Sequence, residues 1–294
     1  MILLVPADVL HPRRPDAHFA ADAEAARDAG WEIGLVDHDE LTRPQADAAA
    51  AVRRVRATGP ALYRGWMLDA GQYARFDAAL TERGVRLYTD AGRYRRAHEF
   101  PGWYGLFVGH TPESAWTRGT TRDEFDRARA TLGHGPGVVR DYTKSMKHHW
   151  HEAMYIPELT DADAAWPIAD RLRELRGSEM TGGFVIRRFE DLAAAETRTW
   201  WVDGHCRLVG PHPDTPDRIP EPGPDISAVA PLVADLGCRF VTVDFALRSD
   251  GRWRVLEIGD GQVSDRPATV AATTLTAALR PLTDPDEPPA GRTR

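Results

Sequence analysis

The chain has 294 residues, 42% of them hydrophobic and 28% charged, with a net charge of −7 at neutral pH. That length allows two domains or one large domain with insertions. The acidic balance lacks the basic face that nucleic-acid binding calls for, although clustered arginines leave room for a local basic groove. Cys206 and Cys238 lie far apart without zinc spacing, so a reduced interior explains them better than a disulfide framework. No stretch reaches membrane-spanning length, and the apolar start lacks the basic leader of a signal peptide. The expectation is a cytoplasmic protein.

In chain order, the apolar run 2–5 reads as a strand buried on both faces. An Ala-rich helix over 16–29 follows, closed by Gly30, and then a strand over 31–36. This β-α-β opening predicts a parallel sheet flanked by helices. Further strands are expected at 52–57, 61–63 and 85–88, with a helix over 69–83 stopped by Gly84. Residues 91–116 are rich in aromatics and predict a helix followed by an ordered connection. Then come a helix over 122–132 with Thr121 as N-cap, a strand at 138–142 and a helix over 163–175. Strands at 184–189, 199–202 and 206–209 follow, the last two joined by Asp203-Gly204. A Pro-rich loop over 211–224 precedes a helix at 226–236, and a final helix spans 268–279. The tail from Asp284 is rich in Pro and Asp and is expected to lack structure.

The most informative segment is Trp253 to Arg266, WRVLEIGDGQVSDR. It is a strand that delivers Glu257 at its end and then turns through Gly259 and Gly261, with Asp260 and Gln262 on the turn. An upstream strand, 240–247, carries Asp244 in an apolar run, and Ser249-Asp250-Gly251 joins the two as a hairpin. An oxygen-only cluster of this kind suits Mg²⁺. The alternative is a solvated hairpin end.

Cations gather elsewhere. Arg140, Lys144 and Lys147 sit in a strand end and loop with hydroxyl neighbours able to meet phosphate. Gly182-Gly183 feeds a strand ending in Arg187, Arg188, Phe189 and Glu190. Alternation points one of those arginines inward, where it needs a carboxylate or a phosphate as partner. Glu196 and Arg198 share one face of the next strand, either as an exposed ion pair or as a clamp in a cleft. The run His148-His149-Trp150-His151-Glu152 has no HExxH spacing and no cysteine support for zinc. Neither a nucleophile elbow nor a P-loop is present.

Taken in order, these features resemble the ATP-grasp superfamily, and in particular its divergent clade related to the eukaryotic cell-division-cycle factor that assists assembly of an initiation factor. Bacterial members of that clade were formerly treated as a domain of unknown function. The resemblance is carried by Tyr63-Arg64-Gly65-Trp66-Met67-Leu68, Tyr94 with His98, Trp103-Tyr104 and Thr111-Pro112-Glu113-Ser114-Ala115-Trp116. It continues through the Asp141 to Lys147 run, Gly183 to Phe189, Glu196 with Arg198, and Val241 through Ser264.

The resemblance implies an α/β (α+β) fold in which two subdomains clamp ATP, preceded by a small parallel-sheet domain. The implied division is 1–90, 91–180 and 181–283, with 284–294 as the tail. It implies ATP and Mg²⁺ as cofactors, with Arg140, Lys144 and Lys147 facing phosphate and Arg187 on the central strand. Arg188, Phe189 and Glu190 would form the hinge that meets adenine and ribose, beside Glu196. Asp244 and Glu257 match metal-bearing acids. The family's third ligand, an Asn two residues after the Glu, is Gly259 here, so Asp260 or Gln262 is expected to substitute. Arg187, Arg198 and Lys144 are the expected catalytic residues, and Arg64 and Arg198 the expected substrate contacts.

The implied activity is an ATP-dependent carboxylate–amine ligase acting on a small molecule, a peptide or a protein terminus. A nucleotide-binding assembly factor without turnover and a small-molecule kinase are the alternatives.

Overall fold

The computed structural model describes residues 1–193, 195–218 and 221–282. They fall into two units. One holds the described residues of Met1–Ala97, Ala195–Phe245 and Glu257–Arg294, the other those of His98–Ala194 and Ala246–Leu256.

The first unit opens with the expected parallel sheet. Its strands are β1 (Ile2–Pro6), β2 (Glu32–Val36), β3 (Gly59–Tyr63) and β4 (Val85–Leu87), in the order β2-β1-β3-β4. Every residue of β1 is buried, and its side chains alternate between two cores. Ile2 and Leu4 join Phe76 and Leu80 of the helix Ala70–Glu82, while Leu3 and Val5 join Phe19, Ala23 and Ala26 beside the helix Ala20–Asp28. Burying such an aliphatic side chain contributes roughly 1.5–3 kcal/mol. The helix Ala70–Glu82 is fixed by a capping box between Asp69 and Gln72.

The strand expected at 52–57 is not formed. Asp47 caps a short helix, Ala48–Ala51, and the turn after it buries Val52 and Val55 three residues apart. The alanines and the cap favour helix, and a three-residue spacing suits a helical turn rather than a pleat.

The second unit carries an antiparallel sheet of β5 (Ser114–Trp116), β6 (Gly137–Arg140), β7 (Tyr155–Ile156) and β8 (Val185–Arg188), ordered β5-β8-β6-β7. The helices Arg122–Ala130 and Ala162–Arg176 supply Phe125, Ala165, Ala169 and Leu172 to a core shared with Val139, Phe184 and Ile186. Thr121 caps the first of these helices with Glu124 as its reciprocal partner.

The remaining sheet has β9 (Thr197–Val202), β10 (His205–Pro211), β11 (Phe240–Leu247) and β12 (Trp253–Asp260) in the order β10-β9-β11-β12. Asp203 and Gly204 both adopt positive φ, as a tight hairpin turn requires. In the first unit, Trp200, Val202 and Phe240 pack into the same core as Leu3, Val5 and Leu62, and the helix Ala272–Leu279 adds Leu275 and Leu279. One face of the parallel sheet is therefore covered partly by the strands that carry the acidic residues. The tail expected from Asp284 lies outside the described residues.

Candidate functional site

In the first unit, β9 pairs antiparallel with β11 so that Arg198 stands opposite Asp244. The guanidinium grips that carboxylate in a fork, with Nε 2.8 Å from Oδ1 and Nη2 2.7 Å from Oδ2. Burial alone would lower the pKa of Arg198. The carboxylates of Asp244, Glu257 and Glu196 outweigh that effect and raise it. Three acids thus surround one buried cation, and the Glu196–Arg198 pair belongs to this cluster rather than to open surface.

His212 joins them, a residue that no local sequence pattern singles out. Its Nε2 lies 3.1 Å from Arg198 Nη2, 3.6 Å from Asp244 Oδ2 and 3.8 Å from Glu196 Oε2. Glu196, His212 and Asp244 are the group of metal-capable side chains found among the described residues, with donor atoms all within 4.8 Å of one another. The run His148 to Glu152 forms no such group there; His149 is hydrogen-bonded to Glu152. The signal for His212 is a hairpin register hidden by a bulge. The pairing of β9 with β10 slips by one residue between Cys206 and Leu208, which brings His212 opposite Glu196, where its amide bonds the Glu196 carbonyl at 3.1 Å.

Along β12, Glu257 and Gly259 share one face and Asp260 takes the other. A Cβ on Gly259 would come within 2.7 Å of Thr242 Oγ1 and 3.0 Å of Ser264 Oγ. Those two hydroxyls, themselves 2.8 Å apart, fill the space that a longer side chain would need. Asp260 and Gln262 do not join Glu257. Both are fully buried, and the Gln262 amide nitrogen donates to Asp260 Oδ2 at 2.9 Å and to Tyr73 Oη at 2.8 Å. The Gln262 amide oxygen accepts from the Tyr63 backbone N–H at 3.0 Å. Burial pushes the Asp260 carboxyl up to about 7.

Arg64, expected as a substrate contact, is 3% exposed. Its Nη1 donates to the carbonyls of Gly261, Gln262 and Ser264 at 2.8, 3.1 and 2.8 Å, and its Nε and Nη2 donate to Asp22 at 3.3 and 3.2 Å. Asp22 also accepts from Arg266 at 3.0 Å. Arg64 therefore fastens the turn that follows Glu257 to the first sheet.

In the second unit, buried Asp141 organises the loop that bears Lys144. Its Oδ1 accepts from the backbone N–H groups of Thr143 and Lys144 at 2.7 and 2.6 Å, and its Oδ2 pairs with Arg176 at 2.8 Å. Lys144 and Lys147 are exposed, whereas Arg140 is buried and bonds the Asp141 carbonyl at 3.3 Å. Arg187 is the inward arginine of β8. It donates to the Leu256 carbonyl and to Thr111 Oγ1, both at 2.8 Å, and lies 5.4 Å from the centre of the Phe100 ring. Arg188 bonds the carbonyls of Leu132 and His134, and Glu190 pairs with Arg254 at 2.9 Å. Phe189 sits in an aromatic group with Trp150 and Tyr155.

Residues 131–279, just over half of the chain, match the model of an ATP-grasp domain, family 3 of its clade. No curated protein sequence matches. Among solved structures, a RimK domain protein ATP-grasp from Sphaerobacter thermophilus DSM 20745 is similar with a TM-score of 0.62 at 19% identity, over 95% of this chain and 100% of that one. D-cycloserine synthetase DcsG gives 0.59 at 16% identity over 95% and 99%. The ATP-grasp ligase PsnB, complexed with a minimal precursor, gives 0.56 at 15% identity over 95% and 98%. At these identities the likeness is one of fold. None of the described helices is long and apolar enough to cross a membrane. The chain belongs to this clade family of ATP-grasp domains, and is an ATP-grasp enzyme with ATP and Mg²⁺ as its cofactors.

Proposed function

We propose that the protein is an ATP-dependent carboxylate–amine ligase whose acceptor is an amino acid, a peptide or a related small amine. The observation that carries this reading is the buried cluster of Arg198, Asp244, Glu196 and His212, with Glu257 close enough to act on Arg198. Such a cluster of charge is costly to bury, and perturbed groups of this kind gather at functional sites. The relatives support the same class, since they include a ligase bound to a precursor and a cycloserine synthetase.

Asp244 and Glu257 would hold Mg²⁺, because a hard cation takes carboxylate oxygens and the Arg198 fork uses only part of the lone-pair capacity of Asp244. When bound, the ion bridges phosphate oxygens of the nucleotide and neutralises their charge. Lys144, with Lys147 and Arg140, would face the phosphates. Arg187 would balance charge from its place on β8, and the backbone around Arg188 to Glu190, with Phe189, would meet the adenosine. The Arg188 and Glu190 side chains already have partners, so their part is to hold that segment in place.

Arg198 would orient the substrate carboxylate. Its oxygen attacks the γ-phosphorus, the bond to the β-phosphate bridging oxygen breaks, and ADP leaves. The neutral amine then attacks the acylphosphate carbon, expelling inorganic phosphate and a proton as the amide forms. The test is ADP release from ATP and Mg²⁺ with pooled amino acids and peptides, followed by product mass. Amide and free phosphate are expected; ATP binding without ADP under every acceptor would refute the reading, and a phosphorylated product would make the enzyme a kinase.

A further inference from the structure

A second group of side chains lies in the first unit, linked to the acidic cluster but outside the roles assigned so far. The Arg198 Nη1 donates to the Asp265 carbonyl at 3.1 Å. The side chain of Asp265 accepts from His18 Nε2 at 2.9 Å, and the His18 ring packs 4.6 Å from that of Trp66. Phe19 meets Trp66 edge-on at 4.9 Å. Contacts thus run without a break from Asp244 through Arg198 and Asp265 to Trp66.

The indole is held in place and yet left open. Tyr63 Oη donates to the Trp66 carbonyl at 3.1 Å, and the Gly65 amide bonds the Gln262 carbonyl at 3.3 Å. Only glycine fits before Trp66, because a Cβ on Gly65 would come within 2.2 Å of the Tyr63 ring. Trp66 nevertheless stays 38% exposed, and the Asp265 side chain is 52% exposed. An aromatic fixed by buried neighbours but facing water beside a carboxylate suits a cation with an apolar body. These residues follow β3, the loop after β1 and the turn after β12, and ligands of open α/β sheets bind outside the carboxyl ends of strands.

We propose that Asp265, His18 and Trp66 form the subsite for the amine acceptor, taking a primary ammonium on the Asp265 carboxylate with the adjoining carbon skeleton against Trp66. His18 orients the carboxylate and leaves it oxygen lone pairs for the ammonium. The assignment of this amine as the nucleophile rests on the ligase reading; the binding itself does not.

The test uses the full chain and saturation-transfer NMR with the amides of alanine, leucine, phenylalanine and lysine, which carry a cationic amine and no carboxylate. Their N-acetylated counterparts, lysine acetylated at both nitrogens, are the controls. The amides are expected to bind and the acetylated compounds not to. Asp265→Asn and Trp66→Ala are each expected to weaken binding tenfold or more, with Trp66→Phe retaining most of it and thermal melts checking that each variant is folded. Equal binding of the acetylated compounds, no binding of any amide, or amide binding unchanged in Asp265→Asn would each overturn the proposal. Amide binding without ligation under any condition would remove the ligase reading and leave the subsite. Ligation with an unchanged amine KM in Asp265→Asn would do the reverse.

Discussion

Arg198 and Asp244 meet as a two-pronged ion pair across adjacent strands, 2.8 and 2.7 Å between the paired atoms, with each side chain almost wholly buried. Removing one partner of such a pair leaves the other charged and desolvated, at a cost of about 3–5 kcal/mol. Asp244→Ala is therefore expected to lower stability by an amount in that range in chemical denaturation. Asp244→Asn keeps a hydrogen-bonding side chain and is expected to remain folded while losing Mg²⁺-dependent ATP binding and turnover. Glu257→Gln is expected to behave like Asp244→Asn. Normal turnover in both would show that the hairpin acids serve structure only.

Lys144 stands on a loop whose backbone is pinned by Asp141. Lys144→Ala is expected to weaken nucleotide binding roughly tenfold, about 1.4 kcal/mol, without moving the melting temperature. Titration calorimetry with a non-hydrolysable analogue measures it. An unchanged Kd would transfer the phosphate contact to Lys147 or Arg140.

Arg64 makes a sharper contrast between a substrate contact and a structural one. Its donors reach three carbonyls and Asp22. Arg64→Met is expected to destabilise the protein by about 3–5 kcal/mol, because Asp22 and the carbonyls lose a buried charged partner. A substrate role alone would instead raise KM and leave the denaturation midpoint in place.

Asp260 gives stability a pH dependence of a definite sign. Its carboxyl is raised from 3.8 to about 7, chiefly by burial, against partial relief from Gln262. A raised acid holds its proton more tightly in the folded chain than in the unfolded one. Its contribution is full below pH about 4, declines as pH rises, and is gone once pH passes the folded value near 7. Asp260→Asn is expected to flatten this slope, by at most roughly 4 kcal/mol across the window. Denaturation curves at pH 5 to 8 compare the two proteins; equal slopes would place no titration at this residue.

Local patterns carried much of the fold. The unbroken apolar run of β1, the Asp69 and Thr121 caps and the acidic hairpin with its turn are all readable, because each depends on neighbours in sequence. The strand expected at 52–57 fails because its β-branched residues point to a strand, while the cap and alanines just before them start a helical turn that continues through Val52. Within the site, Arg198 beside Glu196 follows from strand alternation. His212 depends on a one-residue bulge, and the burial of Asp260, Gln262 and Arg64 on contacts between segments distant in sequence, which no local period encodes.

A crystal structure of the full chain with a non-hydrolysable ATP analogue and Mg²⁺ tests the central claim most directly. The expected result is a metal about 2.1 Å from carboxylate oxygens of both Asp244 and Glu257, with Lys144 and Arg187 at the phosphates. A nucleotide bound with its metal on other residues, or with Asp244 still held by Arg198 and Glu257 turned away from the ion, would contradict it.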